Sequence, residues 1–320
     1  MSFPQSTLAP AGPQAQQIAD LGWTFFAVCA VVWVAVLATL AWGIFRRRAG
    51  ADPGPVVDPG PRAEARTTRV VAGLVGATAV TLIVLVGLST RTGNALAGLG
   101  LAAPLTVEVT GHQWWWELRY VAPVPSQTFT TANELHLPAG IPVRLVLRSR
   151  DVIHSLWIPA LHGKKDLVPG RDGELTLVAA QPGIYRGQCA EFCGVAHAEM
   201  AIRVVVEPRE DFDRWRAAQR LPALEPATAE AHRGKDVFLR GACATCHRIA
   251  GTPAGATLGP DLTHLAGRRS LGAGTLPNTR GHLAGWIANA QAVKPGNHMP
   301  PQPLEPADLQ ALLAFLEGLK

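Results

Sequence analysis

Between Gln188 and Met200 the chain reads QCAEFCGVAHAEM, in which Cys189, Cys193, His197 and Met200 follow one another at spacings of four, four and three. Thiolate, imidazole and thioether together are the donor set that copper prefers. A structural zinc site would want further Cys or His and has little use for Met. Two thiolates at this spacing can bridge two copper ions, leaving the imidazole and the thioether to complete the coordination. A second imidazole is then needed, and DVIHS supplies His154, thirty-five residues before Cys189. A disulfide between Cys189 and Cys193 is the bland alternative, but it explains neither His197 nor Met200.

A second redox motif lies further along. CATCH at 243–247 reads as the attachment site of a c-type haem, with Cys243 and Cys246 forming thioether bonds and His247 an axial ligand. No later cysteine completes a zinc site, and no βαβ pattern points to a thioredoxin-like redox pair. The sixth ligand should be Met or His, and Met raises the haem potential. The chain has only 3 Met, and Met299 in KPGNHMPP is the one that follows the motif. His298, next to it, competes for the position.

The residues from about 20 to 215 resemble cytochrome c oxidase subunit II. The likeness rests on the copper motif together with GHQWWWE at 111–117, DVIHSLWIP at 151–159 and KDLVPGR at 165–171. It implies a dinuclear copper A centre in which Cys189 and Cys193 bridge, His154 and His197 are terminal ligands, and Met200 is a weak ligand. It also implies that the Glu191 carbonyl is the last ligand, with the Glu191 carboxylate turned to a magnesium ion shared with subunit I. Trp114 matches the family's aromatic electron entrance beside copper A. Strand alternation would set Trp114 and Trp116 on one face, and Trp115 is expected to be ordinary core packing. The segments GPDLTHLAGR at 259–268 and LAGWIANAQAVKPGNHMPP at 283–301 resemble a class I cytochrome c. There Met299 matches the distal ligand, and Pro260 lies against the proximal His247.

Ligands need elements to hold them. Residues 21–45 and 70–90 are uncharged runs of 25 and 21 residues. Twenty-five residues make about 37 Å of helix, enough to cross a bilayer. Nothing before Leu21 is basic, so the first run does not read as a cleaved secretion signal. Cys29 within it reads as a small buried hydrophobe. Arg46, Arg47, Arg48, Arg62, Arg66 and Arg69 lie between the runs, and short basic loops stay in the cytoplasm. Both termini and the redox domains are therefore expected on the outer, periplasmic side of a bacterial inner membrane. The family often carries a glutamate at the cytoplasmic start of the second helix. Here that start reads TTRVV, and the nearest carboxylate is Glu64.

The expected fold class is a membrane-anchored multidomain chain: a two-helix transmembrane hairpin, a β-sandwich cupredoxin domain and an all-α class I cytochrome c domain. Short β-rich runs such as LTVEVTG, VRLVLRS and AIRVVVE, separated by Gly and Pro, favour a Greek-key sandwich. The expected divisions are 1–103 for the N-terminal segment and hairpin, 104–207 for the copper domain, 208–228 for a helix and linker, and 229–320 for the haem domain. Apolar residues at 309, 312, 313 and 316 mark a core-facing stripe on the last helix.

The sequence pI is about 9.2, yet the charge is dispersed. Residues 1–100 carry 7 basic and 4 acidic side chains, 101–227 carry 13 and 14, and 228–320 carry 9 and 6. No concentrated basic stripe exists, so nucleic acid is not an expected partner. Two tethered electron carriers read as a wire that takes electrons at the haem and passes them through copper A to subunit I of a proton-pumping, oxygen-reducing complex. Further expected partners are subunit III and a donor, either cytochrome c or a quinol:cytochrome c reductase. A quinol oxidase subunit is disfavoured because the copper ligands are present. A copper A subunit of a nitric oxide reductase, or a membrane-tethered electron shuttle, are the alternatives.

Overall fold

The computed structural model describes residues 5–48, 60–98 and 103–320. The segments 49–59 and 99–102 and the side chains of Arg47 and Arg48, on which part of the expected basic loop falls, lie outside the described residues. The chain divides into two units, Gln17–Leu99 and the remainder.

The first of these holds most of two long helices, α1 (Pro13–Arg48) and α2 (Gly60–Gly98). Both run past the uncharged stretches, because the flanking Gln, Arg, Ala and Glu residues are good helix formers. Glu64 accordingly lies inside α2 rather than ahead of it. Large apolar side chains such as Trp33 and Ile83 are exposed along them, 65% and 71% respectively. Lipid is the solvent that such surfaces suit. Their few hydroxyls do not oppose this: Thr39, Thr78 and Thr81 each donate to the carbonyl four residues back, on Ala35, Leu74 and Ala77. A polar group satisfied within its own helix can sit in hydrocarbon.

The second unit begins with a sandwich of two five-stranded sheets. One sheet has the order β3-β2-β1-β5-β8, from β1 (Leu105–His112), β2 (Trp115–Val121), β3 (Phe129–Ala132), β5 (Val143–Ser149) and β8 (Gly173–Leu177). The other has β4-β10-β9-β6-β7, from β4 (Glu134–Pro138), β6 (His154–Trp157), β7 (Lys165–Leu167), β9 (Gly183–Cys189) and β10 (Ala201–Glu207). Along β1 buried and half-buried residues alternate strictly, the signature of a strand with one face on a core. Val107, Val109, Trp116 and Leu118 of one sheet and Leu135, Leu156, Ile202 and Val204 of the other fill the space between them. Residues ahead of α1 pack on this sandwich. The Ala11 amide donates to the Ala160 carbonyl, and the Ala180 amide donates to the Ala11 carbonyl. A Cβ on Gly12 would lie 2.4 Å from the Val178 carbonyl oxygen, so only glycine fits that approach.

Helix α3 (Arg209–Ala218) closes one end of the sandwich through Trp215, which stacks on His136 at 4.0 Å and meets Tyr120 and Phe129 edge-on. A connection leads to the haem domain, where the Thr228 hydroxyl caps α4 (Ala229–Arg240) by accepting from the Ala231 amide. The single turn α5 (Cys243–Cys246), then α6 (Arg280–Val293) and α7 (Pro306–Glu317), complete it. Helices α4 and α7 cross so closely that a Cβ on Gly234 would lie 1.9 Å from the Ala311 carbonyl oxygen. The apolar stripe of α7 is core: Leu312, Leu313 and Leu316 are buried with Phe238 and Ile287.

Candidate metal centre and haem pocket

The sandwich brings the copper-type donors together by strand pairing. Leu156 of β6 pairs with Cys189 at the end of β9, which sets His154 beside the first thiol. Both ends of the intervening loop are pinned, since the Ala190 amide donates to the Ser155 carbonyl and the Cys189 amide to the Met200 carbonyl. Cys189 Sγ lies 3.8 Å from Cys193 Sγ and 3.8 Å from His154 Nδ1. Cys193 Sγ lies 3.5 Å from His197 Nδ1 and 3.9 Å from Met200 Sδ, and the Glu191 carbonyl oxygen is 3.2 Å from Cys189 Sγ. A disulfide needs its sulfurs about 2.05 Å apart, so the two cysteines are free thiols here.

This donor set fits a copper centre. Two sulfurs, two imidazole nitrogens, a thioether and a carbonyl converge, and His154, Cys189, Cys193 and Met200 are almost wholly buried. The hydrogen bond from Cys193 draws Cys189 toward thiolate against the cost of burial, and the same contact holds the proton on Cys193. His154 is oriented from behind: its Nε2 lies 2.7 Å from Asp151 Oδ1, which turns Nδ1 toward the Cys189 sulfur. Burial alone would lower its pKa, but Asp151 and Cys189 raise it to about 8. The other Asp151 oxygen accepts from the Gln113 amide at 2.7 Å. Behind the imidazole a Cβ on Gly111 would lie 2.8 Å from His154 Cδ2, so the ring needs glycine there. The Glu191 side chain is exposed, one oxygen accepting from the Phe192 amide. Phe192 itself is 75% exposed.

The haem domain encloses a mainly apolar cavity of about 470 Å³ whose walls include Cys243, Cys246, His247, His298 and Met299. His247 Nδ1 donates to the Pro260 carbonyl at 2.7 Å, which leaves Nε2 as the free nitrogen. Burial lowers the pKa of this imidazole, with the Pro260 bond opposing the fall, so the ring is the neutral ligand form. A Cβ on Gly259 would lie 2.7 Å from His247 Cε1, a close approach only glycine permits. These residues fit a covalently held haem. Met299 is half-buried at the cavity, with its amide bonded to Asn297 Oδ1. His298 is exposed and turns its ring to Trp114, with centroids 5.3 Å apart.

Trp114 thus stands between the two sites. Its Nε1 donates to the Cys193 carbonyl at 2.9 Å, an acceptor shared with Gln113 Nε2 at 2.7 Å, and Trp114 also lines the haem cavity. It precedes β2 rather than lying in it, so strand alternation does not govern it. Trp116 is the core tryptophan, with no exposed surface. Trp115 departs from the expected core role: it is half-buried, stacks on His112 at 4.2 Å and reaches the haem cavity. Alternation turns the side chain before the buried Trp116 outward, and here the haem domain covers that face. Sequence reasoning singled out neither Asp151 nor Gln113. The only local sign of Asp151 is an acid three residues before a candidate His.

The sequence has counterparts in known proteins. Residues 123–207 match the cytochrome c oxidase subunit II periplasmic domain family, and residues 231–320 match the cytochrome c family. Cytochrome c oxidase subunit 2 of Alkalihalophilus pseudofirmus OF4 is 34% identical over 98% of this chain and 91% of its own length. The chain belongs to the cytochrome c oxidase subunit II family. As a member it joins a subunit II copper-type domain to a cytochrome c domain in one polypeptide, and it is part of an oxidoreductase. The subunit 2 of Bacillus sp. PS3 is 32% identical over 68% of this chain and 62% of its own length. The crystal structure of the periplasmic domain of subunit II of cytochrome oxidase from Bradyrhizobium japonicum covers 37% of this chain and 94% of that one, at 32% identity and a TM-score of 0.35.

Proposed function

We propose that this subunit II chain is where electrons enter a terminal haem-copper oxidase. The observation that carries the reading is Trp114, bonded to the carbonyl of a copper-loop cysteine on one side and facing the haem cavity on the other. When bound, a covalent haem c and a dinuclear copper A centre supply reversible one-electron chemistry, so that electrons from a cytochrome c or a quinol:cytochrome c reductase pass to subunit I for oxygen reduction and proton pumping. Cys243 and Cys246 would hold the haem covalently, His247 would offer Nε2, and Met299 would supply the second donor, since the exposed His298 turns its ring to Trp114. Cys189 and Cys193 would hold the coppers through their sulfurs, with His154, His197, Met200 and the Glu191 carbonyl completing the donor set. Burial of the thiols and of His154 excludes water and keeps the donors fixed between oxidation states.

The exposed Glu191 carboxylate and the exposed Phe192 beside it support a subunit I contact. A large apolar side chain next to an exposed carboxylate suits a covered face with a magnesium ion at its edge. Subunit III completes the complex. The basic residues at the end of α1 and in the first turns of α2 support a cytoplasmic turn, with the redox domains on the periplasmic side. Rapid one-electron reduction of the full chain in detergent tests the wire. Trp114→Ala should slow haem-to-copper equilibration by about tenfold or more, a barrier change of about 1.4 kcal/mol, while both absorption spectra persist. An unchanged rate in copper-replete protein removes Trp114 from the path.

A further inference from the structure

We propose that Lys294 and Glu134 form a reciprocal lock that holds the haem domain on the copper domain in one pose, and that both are positioning residues for transfer between the two sites. The inference rests on the electron-wire reading above.

Lys294 leaves the end of α6 and is 2% exposed. Its Nζ donates to the carbonyls of Trp114 at 2.8 Å, Glu199 at 2.8 Å and Gly272 at 3.1 Å. The first two acceptors belong to the copper domain. One is the tryptophan between the sites, and the other lies in the turn between His197 and Met200. The third ties in the haem domain's own loop. An ammonium has three donors, and all three are used. Burial draws its pKa from the ordinary 10.5 to about 8, with Glu199 opposing the fall, so the group is still cationic at neutral pH.

Glu134, at the start of β4, answers from the other side and is 4% exposed. Its Oε1 accepts from the amides of Arg269 at 2.7 Å and Ser270 at 3.1 Å, both in the haem domain. Between these anchors the Ala201 amide of β10 donates to the Ala273 carbonyl at 3.0 Å. Backbones meet almost without side chains. Gly296 has φ +82°, and a Cβ there would lie 2.5 Å from Val195 Cγ2 in the copper loop.

A loosely tethered domain is expected to dock through a polar, solvated surface. Here each domain instead buries one charge that reaches across the boundary: two of the three Lys294 acceptors and both amides that Glu134 accepts from belong to the other domain, while Gly272 and, at 3.9 Å, Arg203 Nη1 lie on each residue's own side. Such charges add little net affinity, since desolvation offsets attraction, but a misdocked pose would strip Lys294 of two acceptors and Glu134 of both amide donors. They therefore select a pose more than they strengthen contact, and the selected pose is the one that sets His298 against Trp114.

The test uses the full chain in detergent with Lys294→Met, Glu134→Gln and the double variant, and Lys294→Arg as the conservative control. Hydrogen exchange at the amides of Ala201, Arg269 and Ser270 reads docking, while the amides of Val107 and Leu145 report that the sandwich is folded. In the native chain the boundary amides should be protected, and haem-to-copper equilibration should be insensitive to glycerol and to salt. The double variant should lose boundary protection and slow by about tenfold or more. Its rate should become viscosity-dependent, with both absorption spectra unchanged, and Lys294→Arg should recover part of the rate. Retained protection in the double variant, or lost protection with an unchanged rate, overturns the lock. A native chain that takes up neither copper nor haem defeats the underlying reading, and the exchange measurement then still decides whether the two residues dock the domains.

Discussion

Asp151 shows how much of a metal site lies outside its ligands. One oxygen faces His154 Nε2 and the other accepts from the Gln113 amide, so a single carboxylate sets both the tautomer of a ligand and the turn leading to Trp114. Removing a partner of this kind usually costs about 10–100-fold in metal affinity. Asp151→Ala should lower copper affinity within that range in a chelator competition, with the strands of the sandwich intact by circular dichroism. Gly111→Ala should weaken it by the opposite route, pressing a methyl onto the His154 ring instead of freeing it. The candidate ligands were legible in the sequence because four of them lie within one loop. Asp151 was not singled out, because an acid near a histidine carries no distinctive spacing.

The elements were legible where a period exposes them. Alternation in β1, β9 and β10 and the apolar stripe of α7 are local patterns, and burial follows them. Helix ends were less so: α2 begins ten residues before its uncharged run, since Arg and Glu cost a helix little outside the bilayer core. Crossings of elements leave only a glycine as their trace. Gly234 on α4 admits α7, and Gly234→Val would force the helices apart. Overpacking of this kind costs about 1–3 kcal/mol, so thermal unfolding of the haem domain, followed at the Soret band, should shift several degrees down. The copper absorption of the same variant should be unaffected before that transition.

At the scale of the whole molecule, the exposed apolar surfaces of α1 and α2 need lipid or detergent. The proposed sidedness follows from the arginines at the end of α1 and in the first turns of α2. A thiol-reactive probe that cannot cross membranes should label Ala51→Cys only in inside-out vesicles and Ala227→Cys only in right-side-out ones. The reverse pattern would place the redox domains in the cytoplasm and defeat the assignment. The two redox domains form one compact unit, where the sequence reads as two carriers on a short tether. Near-neutral charge in residues 101–227 left open which face the haem domain would cover.

The sequence by itself determined the chemistry. Thiols, imidazoles and thioethers at fixed spacing name their metal, CATCH names its cofactor, and apolar runs of sufficient length name the membrane, because each signal is carried by residues near in the chain. Only the tertiary structure decided the relations between distant residues. Glu134 meets Arg269 and Ser270, and Lys294 meets Trp114, across more than 130 positions. Two of these contacts use backbone amides and one a backbone carbonyl, groups that every residue carries. No side-chain pattern can announce them. They exist because two folded surfaces fit, and the fit turns Trp115 toward a haem cavity and puts Trp114 between the two redox sites.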